Sequence, residues 1–125
     1  MEIPGGSYEK RLQALAETIP GATSASLTGI DGIGIASYHV EEGLDPTLAD
    51  AEFATMLGTA SRAAQNLGVG EIGELIFTTD TATFILRMVG KEFYLGVGLA
   101  PGIGNLGMAR LQMRWACDDF TKALL

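Results

Sequence analysis

The chain of 125 residues reads as a single α/β (α+β) domain, 1–125, in the order αββαβββα: a five-stranded, mainly antiparallel sheet flanked by helices on both faces. Three observations predict it. Three stretches repeat apolar residues at helical spacing, and five shorter ones alternate or run apolar between turn signals. Most strand-like stretches are also joined by links too short for anything but hairpins. With 47% apolar and 18% charged residues, the composition is that of a folded globule with one core.

Each element has its own signals. Ser7 is placed to cap a first helix, in which Tyr8, Leu12, Leu15, Ala16 and Ile19 share a side until Pro20-Gly21 ends it. From Ala22 the period falls to two: Ser24, Ser26 and Thr28 alternate with Ala25 and Leu27. Asp31-Gly32 then marks a turn, and Ile33 to Tyr38 forms the returning strand. Between His39 and Glu52 lie Glu41, Glu42, Asp45, Asp50 and Glu52 with no Lys or Arg, a solvated loop or the rim of a docking surface for a basic partner. Asp45 caps the second helix with Pro46 at its first position, where a missing N–H is harmless, and Gly68 stops it after Leu67. Strands follow at Glu71–Thr78, Thr81–Val89 and Glu92–Leu99, separated by Thr79-Asp80 and Gly90-Lys91. After Pro101-Gly102 a last helix begins at the cap Asn105, with Leu106, Ala109, Met113, Ala116 and Phe120 on its apolar face.

The second helix is the informative one. At 100° per residue, Ala49, Phe53, Met56, Leu57, Ala60, Ala63, Ala64 and Leu67 form an arc of roughly 120°, enough to cover a sheet. The opposite side should be charged and long-chained. Instead it carries Ala51, Ala54, Thr55, Gly58 and Ser61, with Arg62 and Gln65 towards the C-terminal end. A glycine in a helix interior costs about 1 kcal/mol relative to alanine, and close approach of another backbone would offset that. The strand at 71–78 agrees: Gly73, Leu75 and Phe77 alternate with Ile72, Glu74, Ile76 and Thr78, so the second side has one charge. At a sheet edge, its unpaired backbone would pair with a second copy across a two-fold axis and set the two second helices side by side. The predicted dimer surface is Ala51, Ala54, Gly58, Ser61, Gln65, Gly73, Leu75 and Phe77.

Other classes find little support. No apolar run reaches the ~18–20 residues that span a bilayer, and the start has neither the basic nor the apolar region of a signal peptide. With a net charge of −7 and no basic stripe, nucleic acid is not an expected partner. The single cysteine, Cys117, fits a reducing, cytoplasmic setting. Gly102-Ile103-Gly104-Asn105-Leu106-Gly107 has the G-x-G-x-x-G form, but a dinucleotide site needs a following strand to supply an acidic ribose ligand, and all that follows is helix. His39 reads as a surface histidine and Cys117 as a small core residue; Asp118 and Asp119 point about 100° apart. One Cys and one His cannot build a zinc site. Trp115, Met56, Met88, Met108 and Met113 read as core filling. No catalytic residue, cofactor or metal is expected.

Taken together, the segments resemble the roadblock/dynein-light-chain family, most closely its prokaryotic MglB-like regulators of small GTPases. The resemblance rests on Ile19-Pro20-Gly21-Ala22 with Ser26-Leu27 and the run Gly29 to Ser37, on Leu67-Gly68-Val69-Gly70-Glu71-Ile72, and on Asn105-Leu106-Gly107-Met108-Ala109-Arg110. It implies a homodimer built through the second helix and third strand, with a continuous ten-stranded sheet. It also implies a Ras-like small GTPase docked across the paired second helices, its GTP hydrolysis stimulated without an active site of this chain's own. By position that docking surface is Glu52, Thr55, Gly58, Thr59, Arg62 and Asn66. Nothing resembles a donated arginine finger; Arg62 is the nearest candidate. The chain ends at Leu125 without the C-terminal extension of some regulatory members, a departure that counts against nucleotide exchange and, less strongly, against GTPase activation.

Two other classes stay open. One is a structural scaffold subunit of a larger complex. The other is a profilin/PAS-like small-molecule sensor with a pocket between sheet and helix, which should show polar residues among core positions where the inward arcs here are uniformly apolar.

Overall fold

Ser7 Oγ accepts the Lys10 amide and opens α1 (Tyr8–Glu17), and the turn after it, with Gly21 at φ 82°, leads into β1 (Ala22–Gly29). The computed structural model describes residues 7–40, 43–102 and 105–125. The remaining elements are β2 (Gly34–His39), α2 (Pro46–Leu67), β3 (Glu74–Thr78), β4 (Thr83–Val89), β5 (Phe93–Leu99) and α3 (Leu106–Leu124). The strands form one sheet in the order β2-β1-β5-β4-β3 with every neighbour antiparallel, so β2 and β3 are its two edges.

At two strand starts that depart from the sequence reading, those of β2 and β4, a local hydrogen bond is the reason. Asp31 Oδ1 accepts the Ile33 amide at 3.0 Å, holding Ile33 in the turn so that β2 starts one residue later. Thr79 Oγ1 accepts the amides of Thr81 and Ala82 at 3.2 Å each, which keeps both in the turn and starts β4 at Thr83. Glu71–Gly73 lie ahead of the ladder, although the Gly73 carbonyl still accepts the Met88 amide at 2.9 Å.

The sheet separates two cores. On one side α1 and α3 close over Ala25, Leu27, Ile85, Val89, Leu95, Val97 and Leu99 with Leu12, Leu15, Met113 and Phe120, all essentially dry. Tyr8 stacks on Phe120 at 6.0 Å, and Arg11 bonds Asp119 at 2.7 Å across α1 and α3. On the other side α2 contributes only Ala49, Phe53 and Leu57 to the buried set, against Leu86 and Tyr94. Phe53, Phe77 and Phe84 meet there with ring centroids 4.9–5.9 Å apart.

Several core assignments are corrected. Ala63 and Leu67 belong to the inward arc by periodicity, yet Ala63 is exposed and Leu67 is 75% exposed. A 22-residue helix is roughly 33 Å long, while seven-residue strands span about 23 Å, so the last turns of α2 overrun the sheet. Leu106 is exposed at the first turn of α3, and Trp115 (52% exposed) and Met108 lie on its outer side rather than in the core. The inward surfaces are also not uniformly apolar. Ser24, Ser26 and Thr28 project towards α2, and Thr28 is fully buried.

Candidate interaction surface

Both ends of α2 are capped as the sequence signals. Asp45 accepts the amides of Thr47 and Leu48 at 3.0 and 3.4 Å, with Pro46 opening the first turn. At the other end Gly68 takes φ 68°, its amide bonding the Gln65 carbonyl while the Val69 amide bonds that of Ala64. This is the paired closure that a left-handed glycine permits.

Between the caps, the N-terminal half of α2 is tied to the sheet by polar bonds. Thr28 donates its hydroxyl to Asp50 Oδ1 at 3.0 Å, and the Tyr94 hydroxyl donates to the Asp50 carbonyl at 2.8 Å. Burial raises the Asp50 carboxyl above its usual range, partly offset by the Thr28 bond. Burial likewise pushes the Tyr94 phenol up to about 12, which keeps it a neutral donor. His39, expected at the surface, is half-buried at the end of β2, and its Nε2 is buried without a described partner. These residues come from four separate segments, and the spacing of Thr28, His39, Asp50 and Tyr94 carries no periodic signal.

The eight residues of the predicted dimer surface divide into four pairs. Ala51 and Ala54 lie against the β1–β2 turn: a Cβ on Gly32 would stand 3.4 Å from Ala51 Cα and 3.9 Å from Ala54 Cβ. Their small size therefore has a cause within the chain. Ser61 and Gln65 overhang an open cleft of about 200 Å³ beside Glu71, Ile72 and Met88. Leu75 and Phe77 are half-buried under α2 in its own core. Only Gly58 and Gly73 are exposed with nothing within 4 Å of where a Cβ would stand. At Gly58 nothing in the protomer forbids alanine.

The second predicted set is gathered on one face. Glu52, Thr55, Thr59, Arg62 and Asn66 are all exposed along the outer side of α2. The Thr55 hydroxyl donates to the Ala51 carbonyl at 3.0 Å and that of Thr59 to the Thr55 carbonyl at 3.1 Å. Both side chains are thus turned back on the helix. The chain's described ion pairs lie elsewhere: Glu74 receives Arg87 at 2.8 Å and Arg110 at 2.7 Å on the α3 side, securing the edge strand β3 to β4 and α3.

Burial pushes the Cys117 thiol up to about 11, so it stays protonated and unreactive near neutrality. Among the described residues no group of three or more His, Cys, Asp or Glu could hold a metal ion, and no helix is long and apolar enough to cross a membrane. Of the glycine-rich loop, Gly102 has φ 81° in a turn and Asn105 caps α3 through the Met108 amide at 2.9 Å; Ile103 and Gly104 lie outside the described residues, as do Glu41 and Glu42 of the acidic stretch.

No protein-family model matches the chain, and no curated protein matches it significantly. Solved structures do. A roadblock/LC7 domain from Streptomyces avermitilis is 17% identical with a TM-score of 0.85, over 95% of this chain and 98% of that one. MglB of Myxococcus xanthus is 21% identical with a TM-score of 0.83 over 92% of each chain. A structure described as MglB with tetrameric arrangement is 16% identical with a TM-score of 0.82, over 90% and 83%.

Proposed function

We propose, from the roadblock, MglB-like fold with its three helices around a five-stranded antiparallel sheet, that the chain is a cytoplasmic, non-enzymatic adaptor or regulator. It forms a homodimer through α2 and the β3 edge, binds a Ras-like small GTPase across the paired helices and stimulates GTP hydrolysis by reshaping the partner's own site. The observation that carries this reading is Gly58. It stands mid-helix on the outer face of α2, exposed, with open space where a side chain would be, so its helix-weakening cost has no purpose inside the protomer. The β3 edge is unpaired in the protomer, with Gly73 equally open. An MglB structure with a tetrameric arrangement supports self-association of this fold. In the dimer, Ala51, Ala54, Gly58, Ser61, Gln65, Gly73, Leu75 and Phe77 form the seam; Glu52, Thr55, Thr59, Arg62 and Asn66 face the GTPase.

The sensor reading is the weaker one. The space enclosed between α2 and the sheet is about 10 Å³, room for a single water molecule.

Light scattering tests the dimer: wild type should run at twice the protomer mass and Gly58→Arg at one protomer mass. A Ras-like GTPase that co-purifies with the chain, loaded with a GTP analogue, tests the partner. Thr55→Arg and Thr59→Arg should abolish its binding while circular dichroism stays unchanged. Unaltered affinity in both variants would move the docking site elsewhere, and a dimer that retains no GTPase would favour the scaffold reading.

A further inference from the structure

The other edge of the sheet is unpaired too, and its surroundings differ from those of β3. Val40 donates its amide to the Thr23 carbonyl at 2.9 Å. Antiparallel alternation then turns the N–H groups of Ser37 and His39 away from β1, towards the free side. Among the described residues nothing bonds them. Two open clefts flank this edge and share Ile33 and Ile35. One, of about 450 Å³, runs past Ser37 to Thr47 and Asp50; the other, of about 370 Å³, is lined by Ile30 and Phe93 with Asp31 and Glu92 at its rim. Ile33 is 70% exposed between them.

Gly34 links the edge to the acid. A Cβ there would stand 2.5 Å from Asp50 Oδ2, so the missing side chain lets the carboxylate lie directly over the start of β2. Asp50 Oδ1 is held by Thr28, while Oδ2 has no described hydrogen bond. No Lys or Arg is at hand in the sequence either: residues 12–61 contain seven acidic side chains and neither of these cations.

We propose that the β2 edge takes up an extended segment of another protein by strand addition. That segment alternates basic with apolar side chains, the basic ones reaching Asp50 and the apolar ones filling the cleft at Ile30 and Phe93. Main-chain bonds to the edge give affinity in this mode and the flanking clefts give specificity. A second copy of this chain fits poorly, because two-fold pairing of β2 with itself would set the acidic groups of one copy against those of the other in a chain of charge −7. The site borrows Thr47 and Asp50 from the start of α2 but uses none of the residues of the proposed seam or docking face.

The test uses the full chain and a fluorescein-labelled, N-acetylated hexapeptide that alternates valine with lysine or arginine, beside a version with glutamate at the basic positions. The basic peptide should bind saturably, and the acidic one should bind at least about tenfold more weakly. Ser37→Pro removes an outward donor at an edge position where proline is tolerated; it should weaken binding about tenfold, as should Asp50→Asn, which keeps an acceptor for Thr28. Should Ser37→Pro fail to fold, amide exchange in wild type reads the same contact: saturating peptide should protect Ser37 and His39. Equal affinity in folded Ser37→Pro, no protection at saturation, or equal binding of both peptides would overturn the proposal. A fall in oligomeric mass in Ile33→Lys would assign the edge to a second copy and overturn it as well.

Discussion

The two faces of the sheet are built differently. Under α1 and α3 the side chains are large, aliphatic and dry, and two helices share the covering. Under α2 a single helix covers β-strands that carry Ser24, Ser26, Gly96 and Gly98, and its contact rests on three buried residues, an aromatic trio and the bonds at Asp50. Gly98 has no room for a side chain, since a Cβ would come within 3.0 Å of Ser24, Thr23 and Phe84. The first face carries the stability of the fold. The second holds a helix in place while leaving most of it uncovered.

Substitutions can break or sharpen that contrast, and the largest effect belongs to the dry face. Phe120→Ala removes a ring with no exposure and should cost about 3–5 kcal/mol in urea denaturation. Phe53→Ala should cost less, about 2–3 kcal/mol, because a helix covered on one side can settle into the space; equal losses would mean that the two faces are packed alike. Gly58→Ala should stabilise the isolated protomer by about 1 kcal/mol while weakening self-association, seen as a melting temperature that depends less on protein concentration. Leu67→Ala should change stability by less than about 0.5 kcal/mol, since the helix end stands clear of the sheet. The smallest effect is the pH dependence of the tether. Asp50 has its carboxyl raised above the ordinary 3.8, so the native state holds that proton more tightly than the unfolded chain. Its contribution is fully present below 3.8 and is lost as pH rises towards the elevated native value. The urea midpoint of wild type, relative to that of Asp50→Asn, should decline across that window.

The element order and the caps were legible because they depend on local chemistry. Ser7, Asp45 with Pro46, Gly68 and Asn105 each act within a turn of where they stand, and all four do what their residue types suggest. The periodic arc of α2 misled at Ala63 and Leu67, since periodicity tells which side of a helix faces inward but not how far the partner layer extends. Trp115 shows the reverse error: composition alone sends a tryptophan to the core, whereas its angular position on α3, about 160° from the buried Met113 and Cys117, sends it outwards. The smallness of Ala51 and Ala54 was visible, but its nearest cause, the approach of Gly32, is a contact between segments that no local pattern shows. The outer set from Glu52 to Asn66 comes from the family resemblance, and helical spacing puts its members on one exposed face.

The threonines turned back on α2 have a further consequence. With their hydroxyls bonded to carbonyls one turn earlier, Thr55 and Thr59 show the outside world mainly methyl groups. A partner settling on this part of the helix strips little bound water from them, because their donors are already satisfied. What the face offers by its letters is polar; what it offers by its atoms is closer to a ridge of alanine and valine, broken at Gly58. Replacing either threonine with valine should therefore leave the recognised shape almost unchanged, whereas serine, with the same hydroxyl and no methyl, would blunt it.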